Sequence, residues 1–512
     1  MKKIKDSKIY KTFQKFFYVI EFILAVIVTW LVFLNFYDYV YYSKVNIFKV
    51  VICLLIIIVL LWMIIKKIKR EYHYYEKIFL TLMIPIGMLY LVFVLPGHVP
   101  DESNHVKRIT DISQGNLIMD IKEQKQYIPR QIVNQAIVIS NYDELFDKVS
   151  VKYDYKSIDK KGQFNHFASY FPIFYLPASL VFKTGINYNL NLFVIIYLAR
   201  ICNFIISLIL GYWTIKLIPF GKLLMFTYFF NPMYIQQAIS LSVDSLLNAS
   251  IILFIVYTLY LAYKEQKLSL TDKIIYPILL SCACLNKTVY YPIALICLLL
   301  VFDKTKRKDI KERQFIMGCL IFLTLVAIAW FFFSRNYVDI KEYTITHNIN
   351  PSKQMTYILN HPLSYIHMLI KTIMIKGGTW IYHFFGLSLG SKEVLTPRIG
   401  CITLAILMLC APFLEKNEIK GLNNKTKIVL LFLTFVLGIL IITALYIVNS
   451  PVAFDVAAGI QGRYFLPVVI LALLCLFKTN MYKEFKYTKL VYLGIIILLN
   501  MTSLCCIIKS FI

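Results

Sequence analysis

The chain has 512 residues, of which 59% are hydrophobic and 16% are charged, and its formal net charge is +26. So much apolar surface excludes an ordinary soluble globular protein of this length. The positive charge is spread over alternate loops, and no groove-reading module interrupts the apolar runs, which disfavours nucleic-acid binding. No Walker loop or dinucleotide fingerprint is present, which argues against a nucleotide-driven pump.

Apolar runs of roughly 18 to 25 residues recur along the chain, each long enough to cross about 30 Å of hydrocarbon as a helix. We predict about thirteen transmembrane helices, within a range of about twelve to fourteen, and therefore an all-α integral membrane protein. The runs at 274–286 and 289–302 are short, and only the second half of 379–414 clearly spans. The predicted spans lie near 17–38, 47–65, 78–96, 188–215, 223–239, 245–263, 274–286, 289–302, 315–333, 379–414, 428–448, 463–478 and 488–508.

Basic residues predict the orientation of these spans. Lysines precede the first run, and further basic clusters follow the second, sixth, eighth, tenth and twelfth runs. Loops rich in Lys and Arg stay on the cytoplasmic side of a membrane, so the N-terminus should be cytoplasmic. The long segments 97–187 and 334–378 then lie outside, as does "NSPVAFDVAAGIQGR".

The stretch "PDESNH" follows the third predicted span directly, at the start of the first long outer loop. Asp101 and Glu102 are adjacent acids, and His105 comes one helical turn later. A carboxylate beside hydrocarbon is costly unless it faces water, a partner or a substrate. The stretch is therefore a candidate functional site.

Four other polar residues lie where hydropathy alone would not place them. Arg200 lies inside the fourth predicted span, and Asp244 lies at the outer end between the fifth and sixth. Lys287 lies where the seventh and eighth meet, and Arg463 opens the twelfth. Any one of them alone is equally well read as an interfacial anchor or an interhelical hydrogen bond. Together they place cations at the outer face, where topology does not require positive charge, which suggests one site.

Two segments of the outer loops are predicted to rest on the membrane surface. In "HPLSYIHMLIKTIMIKGG", Pro362 suits a first helical turn, and the apolar and polar residues segregate to opposite faces. The apolar face carries Leu363, Ile366, Ile370 and Ile373, and the polar face carries Ser364, His367 and Lys371. The stretch 169–185 is apolar, is interrupted by Pro172 and Pro177, and is too short to cross.

"PDESNHVKRITDISQGN" resembles the signature of a bacterial family of predicted multi-pass membrane proteins of unknown function, which carry a P-D-E-x-x-H element outside an early span. Later segments are similar to that family in the same order, over roughly 78–478: "FNHFASYFPIFYLPAS", "ARICN", "NPMYIQQAISLSVDSLLN", "NKTVYYP", "LNHPLSYIHMLIKT" and "GIQGRYFLPV". The family in turn resembles the GT-C glycosyltransferases. These are polytopic enzymes that take a sugar from a polyprenyl-phosphate carrier on the outer side of the membrane.

The resemblance implies a GT-C-like core with interfacial helices, and a cell-envelope glycan as the acceptor of an inverting transfer. Under it, Asp101 is the catalytic base, and Glu102 is the alternative base, or a metal or acceptor ligand. The other implied roles are acceptor or sugar binding by His105, His166 and Asp244, with cation orientation as a second option for Asp244, and phosphate binding by Arg463, Lys287 and Arg200. Two carboxylates and His105 leave room for a divalent cation, Mg²⁺ or Mn²⁺, but their spacing assigns no metal site.

The chain departs from the GT-C pattern in one respect, because its acidic pair follows the third span instead of the first. We therefore interpret residues 1–75 as an added two-helix hairpin and residues 76–512 as the core. A transporter or flippase for a lipid-linked saccharide is the main alternative function, since it would use the same intramembrane arginine and helix-lined cavity. A non-catalytic scaffold of an envelope complex is the third hypothesis. The absence of an obvious internal repeat, and acids in an outer loop instead of at midplane, favour the enzyme.

Overall fold

The computed structural model describes residues 74–117, 126–129, 137–151, 155, 158–161, 170–264, 267–302, 309–334, 349–390, 394–415, 422–477 and 488–511. The predicted hairpin at 1–75 lies outside these residues apart from its last two, and so do the spans near 17–38 and 47–65. His166 lies outside them as well, so its proposed role stays a prediction.

The described residues are mainly helical. The α-helices are α1 Tyr75–Phe93, α2 Glu102–Ser113, α3 Tyr142–Val149, α4 Leu176–Asn187, α5 Leu192–Leu217, α6 Lys222–Phe229, α7 Pro232–Ala238, α8 Asp244–Tyr263, α9 Leu270–Cys284, α10 Leu298–Phe302, α11 Ile310–Ser334, α12 Pro351–Asn360, α13 Pro362–Phe384, α14 Arg398–Leu414, α15 Asn424–Asn449, α16 Leu466–Leu474 and α17 Thr488–Phe511. The 3₁₀ helices are Pro172–Phe174, Thr288–Cys297 and Gly462–Phe465.

Two small antiparallel hairpins accompany the helices. Strand β1 (Gln126–Pro129) pairs with β2 (Ile158–Lys161) inside the first long loop, with Gln126 opposite Lys161. Strand β3 (Ser388–Leu389) pairs with β4 (Val394–Leu395) between α13 and α14, with Ser388 opposite Leu395. The fold is therefore a helical bundle with short strands confined to its loops.

Six of the described helices are long and apolar enough to cross a membrane. They are α1, α5, α8, α11, α15 and, over Leu490–Phe511, α17. Shorter apolar helices cover Thr288–Phe302, Arg398–Leu414 and Gly462–Leu474. The prediction of an all-α membrane protein agrees with this architecture, whereas the count of about thirteen spans stays a prediction.

Proline and asparagine divide one predicted span in two. The apolar run 223–239 forms α6 and α7, separated at Phe230 and Asn231. Pro232 has no N–H to continue the helical ladder, and it opens α7 as a first-turn residue. The Asn231 side chain caps the new helix by accepting a 3.0 Å hydrogen bond from the Met233 N–H. The run 289–302 is likewise irregular, because it begins as the 3₁₀ helix Thr288–Cys297 around Pro292.

Helix α8 lies at the centre of the bundle and α11 at its edge. Of the most apolar part of each helix, 89% is buried in α8 and 11% in α11. Helix α8 packs against α5 and α9, and α5 packs in turn against α1 and α4. A helix that is apolar all round and buried all round belongs to the protein interior, whereas α11 presents its apolar surface to the surroundings.

Helix α13 begins at Pro362, as its sequence predicts. Its predicted apolar face is open, since Leu363 is 81% exposed and Ile366, Ile370 and Ile373 are also exposed. The face packed against the protein consists instead of Met368, Leu369, Thr372, Trp380 and Phe384. An exposed row of this kind is suited to contact with lipid.

Candidate functional site

The turn that carries Asp101 is tightly constrained. Gly97 has φ +84°, and a Cβ there would lie 2.6 Å from the Val138 Cα, so the position requires glycine. Asp101 itself has φ +67°, which is uncommon for a residue with a side chain. Such conformations persist where the surrounding structure enforces them, and they concentrate at functional sites.

Four charged side chains meet at this turn and form what we call the charged cluster: Asp101, Asp244, Lys287 and Arg463. Arg463 Nη2 lies 2.6 Å from Asp101 Oδ2, and Arg463 Nη1 lies 3.7 Å from Asp244 Oδ2. Lys287 Nζ lies 2.5 Å from Asp244 Oδ1. The structure therefore brings together four of the residues that the sequence proposed for one site.

Each member of the charged cluster comes from a different part of the fold. Asp101 precedes α2, Asp244 is the first residue of α8, and Lys287 separates α9 from the following 3₁₀ helix. Arg463 follows Gly462, where a Cβ would lie 2.3 Å from the Trp380 carbonyl oxygen of α13. Glycine thus lets the Arg463 segment lie against the α13 backbone and bring its guanidinium to the cluster.

Asp101 is the exposed member of the charged cluster, and the other three side chains are mostly buried. The side chain of Asp101 is 42% exposed, whereas those of Arg463, Asp244 and Lys287 are 3%, 7% and 13% exposed. Two carboxylates and two cations give it no net charge. An anionic ligand must therefore displace one of these contacts, and the 3.7 Å contact between Arg463 and Asp244 is the longest of the three.

The electrostatics keep Asp101 ionised and Lys287 charged. Burial by itself would raise the pKa of the Asp101 carboxyl, but the Arg463 guanidinium beside it holds that pKa below its usual range. Burial would lower the pKa of Lys287, but the Asp244 carboxylate raises it above its usual value. Asp101 is therefore a carboxylate, able to accept a proton, at physiological pH.

Two tyrosines surround the cations of the cluster. Lys287 Nζ lies 5.5 Å from the ring centre of Tyr170 and 5.6 Å from that of Tyr464. The Arg463 guanidinium carbon lies 5.1 Å from the Tyr464 ring centre. Tyr464 is in turn held by the Tyr290 hydroxyl, which donates to its carbonyl oxygen at 2.8 Å. Aromatic faces favour cations at such distances, so the rings help to fix both positive groups.

His105 lies beside the cluster as a neutral, buried imidazole. Its Nδ1 lies 2.7 Å from the Tyr175 hydroxyl and its Nε2 lies 3.2 Å from the Ser242 hydroxyl. Burial lowers the pKa of His105 to about 3, although Asp244 opposes the shift. With both nitrogens engaged, His105 links α2 to the turn before α8 and orients the residues around Asp244.

Glu102 and Arg200 form a separate, fully buried ion pair. Arg200 Nε and Nη2 donate to the two Glu102 oxygens at 2.8 and 2.5 Å. The same carboxylate accepts from the backbone N–H groups of Gly97 and Leu241 at 2.9 and 3.1 Å. Arg200 also donates to the carbonyl oxygens of Val94 and Leu95 at 2.6 and 3.2 Å.

This pair ties α2, α5, the turn after α1 and the turn before α8 to one another. Both side chains are 0% exposed, and the carboxylate accepts four hydrogen bonds. Neither Glu102 nor Arg200 opens onto the surface beside Asp101. Their contacts suit a positioning role better than the base, ligand and phosphate-binding roles that the sequence suggested for them.

Helix α2 carries a second buried ion pair, Arg108–Asp111, which the sequence analysis did not predict. Arg108 Nη1 donates to Asp111 Oδ2 at 2.9 Å, and Arg108 Nη2 donates to the Leu117 carbonyl oxygen at 2.8 Å. Asn116 donates to the other Asp111 oxygen at 3.1 Å. The spacing of three residues between Arg108 and Asp111 was the available signal. This pair closes the C-terminal end of α2.

In the part of the chain that the structure describes, no group of three His, Cys, Asp or Glu side chains is arranged to hold a metal ion. Asp101, Glu102 and His105 were the candidates for such a group. Glu102 binds Arg200, and His105 binds Tyr175 and Ser242, so the three do not converge.

Comparison with known proteins identifies a family and no individual relative. The family model described as "Predicted membrane protein (DUF2142)" matches residues 82–472. No curated protein and no solved structure matches the chain. The matched region runs from α1 to α16 and includes every member of the charged cluster and the Glu102–Arg200 pair. The chain therefore belongs to the DUF2142 family of predicted membrane proteins.

Proposed function

We propose that the protein is a membrane glycosyltransferase that moves a sugar from a polyprenyl-phosphate carrier to a cell-envelope glycan on the outer face of the membrane. The single observation that carries the proposal is the charged cluster. It sets one exposed carboxylate, Asp101, beside two nearly buried cations, Arg463 and Lys287, at one end of a helical bundle. The resemblance to GT-C enzymes supplies the reaction class.

Asp101 is the proposed general base. In an inverting transfer the acceptor oxygen bonds to the anomeric carbon while the bond from that carbon to the carrier phosphate oxygen breaks. The acceptor hydroxyl proton passes to the Asp101 carboxylate, and the electron pair leaves with the phosphate. An ionised and 42% exposed carboxylate meets both requirements of that role.

Arg463 and Lys287 are the proposed phosphate-binding groups. Negative charge grows on the leaving phosphate in the transition state, and preorganised cations stabilise it most when water is excluded. Both cations are already oriented by Asp244 and Tyr464, so little reorganisation is needed. Asp244 is thus assigned the cation-orienting role of the two that the sequence left open.

The Glu102–Arg200 pair and His105 are the proposed positioning residues of the site. Glu102 directly follows Asp101 and fixes the turn on which Asp101 lies. His105 holds the Ser242 turn that leads into Asp244. The exposed apolar face of α13 offers a surface for the carrier's hydrocarbon tail near the Arg463 segment, which packs on the end of that helix.

The test uses the purified full chain in lipid vesicles, with radiolabelled polyprenyl-phosphate hexoses as donors and cell-envelope glycan as the acceptor. The enzyme proposal expects label in the glycan and loss of that label in Asp101→Asn. The transporter or flippase alternative expects no transfer by the wild type, and movement of the labelled lipid between leaflets instead. Transfer that is unchanged by Asp101→Asn would remove Asp101 from the mechanism. Activity with and without added Mg²⁺ or Mn²⁺ tests the divalent-cation hypothesis.

A further inference from the structure

A small recess, with room for about one water-sized group, adjoins the charged cluster on the Pro100 side. Its lining comes from segments far apart in the sequence and consists of Pro100, Met233, His383, Ser388, Gly390, Gln461, Gly462 and Arg463. Asp101 directly follows Pro100, and Arg463 both lines the recess and binds Asp101. The recess therefore adjoins the turn that carries the proposed base, although Asp101 is not among its lining residues.

Arg463 has one donor that the described residues do not use. Its Nη2 donates to Asp101, and its Nη1 donates to the Pro100 carbonyl oxygen at 3.3 Å. Its Nε is buried and has no hydrogen-bond partner among the described residues. A buried donor without a partner is destabilising, and a ligand or water that reached the Arg463 Nε would offset that cost.

Two groups of residues near the Asp101–Arg463 pair differ in chemistry, and Lys287 is not among those that line the recess. One group has the Lys287 ammonium with the Tyr170 and Tyr464 rings, which suits a phosphate. The lining of the recess contains no acid and includes His383, Ser388 and Gln461 among small and apolar residues. Hydrogen-bonding side chains with no carboxylate among them suit hydroxyl groups.

We infer that this recess receives the reacting hydroxyl group of the acceptor, and that this hydroxyl belongs to a neutral part of a glycan. The inference rests on the proposed function and deepens it. An inverting displacement needs the nucleophile and the leaving group on opposite sides of the anomeric carbon. In this arrangement Lys287 holds the leaving phosphate, the recess holds the attacking hydroxyl, and Asp101 accepts the proton of that hydroxyl.

The first arm of the test needs no catalysis. Gln461→Cys, on a chain with its own cysteines replaced, is labelled with a small thiol reagent in the presence of soluble envelope glycan fragments or of polyprenyl phosphate. We expect glycan fragments at about twice their Kd or more to slow labelling at least about threefold through occupancy of the site, and polyprenyl phosphate to leave it unchanged. Gln114→Cys, a similarly half-buried glutamine outside the recess, is the control and should not be protected by either. Protection by polyprenyl phosphate alone, or by neither probe, overturns the inference.

The second arm measures transfer. Gln461→Ala combined with Ser388→Ala should raise the acceptor KM about tenfold and leave the affinity for polyprenyl phosphate unchanged. Unchanged acceptor KM, or a loss of polyprenyl-phosphate affinity, contradicts the acceptor subsite. Suppose that the wild-type chain transfers no sugar, yet glycan fragments protect the cysteine of Gln461→Cys. That result would contradict the proposed transferase activity and still support the glycan subsite. The two failures are thereby distinguished.

Discussion

Arg463 and Asp101 lie 362 positions apart in the chain, yet Arg463 Nη2 donates a 2.6 Å hydrogen bond to Asp101 Oδ2. The guanidinium is nearly buried, and the carboxylate is the exposed partner of the pair. The contact joins the turn after α1 to the 3₁₀ helix before α16. The proposed base and a proposed phosphate-binding residue are therefore hydrogen-bonded to each other. A ligand that binds Arg463 in place of this contact would also change the surroundings of Asp101.

Asp101→Asn should abolish most sugar transfer without harming the fold. Asparagine keeps the size of the side chain but cannot accept the acceptor's proton. Transfer should fall at least about a hundredfold, the usual lower contribution of general-base catalysis, while affinity for polyprenyl phosphate and membrane abundance stay near wild type. Asp143→Asn, at an exposed position of α3, is the matched control and should leave transfer unchanged. Equal turnover by the two variants would contradict the assignment of the base.

Arg463→Ala should cost on the order of 2–4 kcal/mol of transition-state stabilisation, the scale of losing one preorganised donor at a developing charge. Arg463→Lys should restore only part of it, because a point charge replaces a two-pronged donor. The measurement is kcat/KM for transfer at equal membrane abundance. Arg398→Ala, at the exposed start of α14, is the control. Wild-type turnover by Arg463→Ala would reduce Arg463 to a structural residue.

The same arginine should set the pH dependence of the reaction. Arg463 lowers the pKa of Asp101 against the opposing effect of burial, so Arg463→Gln should raise that pKa. The ionised carboxylate is the active form of a base, and activity is lost as pH falls through its pKa. The acid limb of the kcat/KM profile, which reports the free enzyme, should therefore move to higher pH in Arg463→Gln. An acid limb that stays in place would mean that Arg463 does not control the ionisation of Asp101.

Glu102→Gln should destabilise the protein strongly, because it leaves the buried Arg200 guanidinium without its counter-ion. Removal of one partner from a buried ion pair typically costs about 3–5 kcal/mol. Thermal unfolding in detergent micelles measures the loss. Glu144→Gln is the control, since the Glu144–Lys148 pair is partly exposed on α3 and should contribute less than about 1 kcal/mol. If the two variants unfold at the same temperature, the Glu102–Arg200 pair does not hold the site together.

Gly462→Ala should displace the Arg463 segment from α13. The added Cβ would lie 2.3 Å from the Trp380 carbonyl oxygen and 2.4 Å from the Phe384 nitrogen, both of them backbone atoms of a helix. Such crowding typically costs about 1–3 kcal/mol, and it should lower transfer together with stability. Gly438→Ala in α15 is the control, since a Cβ there meets nothing within 4 Å. Normal stability and activity in Gly462→Ala would argue against this packing.

The charged cluster should face the outside of the cell. A cysteine at Gln114, on an otherwise cysteine-free chain, should react with a membrane-impermeant maleimide on intact cells. A cysteine at Lys267, in the predicted cytoplasmic turn before α9, should react only after permeabilisation. Both side chains are open enough in the structure for such labelling, and Lys267 is 82% exposed. The reverse result would place Asp101 in the cytoplasm and end the proposal of transfer on the outer face.

The local pattern of the sequence was enough to predict the class of fold and the starts of several helices. Long apolar runs predict α1, α5, α8 and α15, because a helix that satisfies its own backbone is the stable form of an apolar segment in lipid. Pro362 opens α13 as expected, and Pro232 separates two helices within one apolar run. These features depend on neighbouring residues alone.

The partners of each charged side chain were decided by the tertiary structure. The sequence nominated Asp101, Asp244, Lys287 and Arg463 for one place, and packing brings them together from four separate segments. The sequence left Glu102 as an alternative base to Asp101, yet packing exposes Asp101 and buries Glu102 against Arg200, 98 residues away. Hydropathy and spacing depend on residue type and on position along the chain. A buried charged side chain is costly unless an opposite charge lies beside it, and only the folded bundle decides which charge that is.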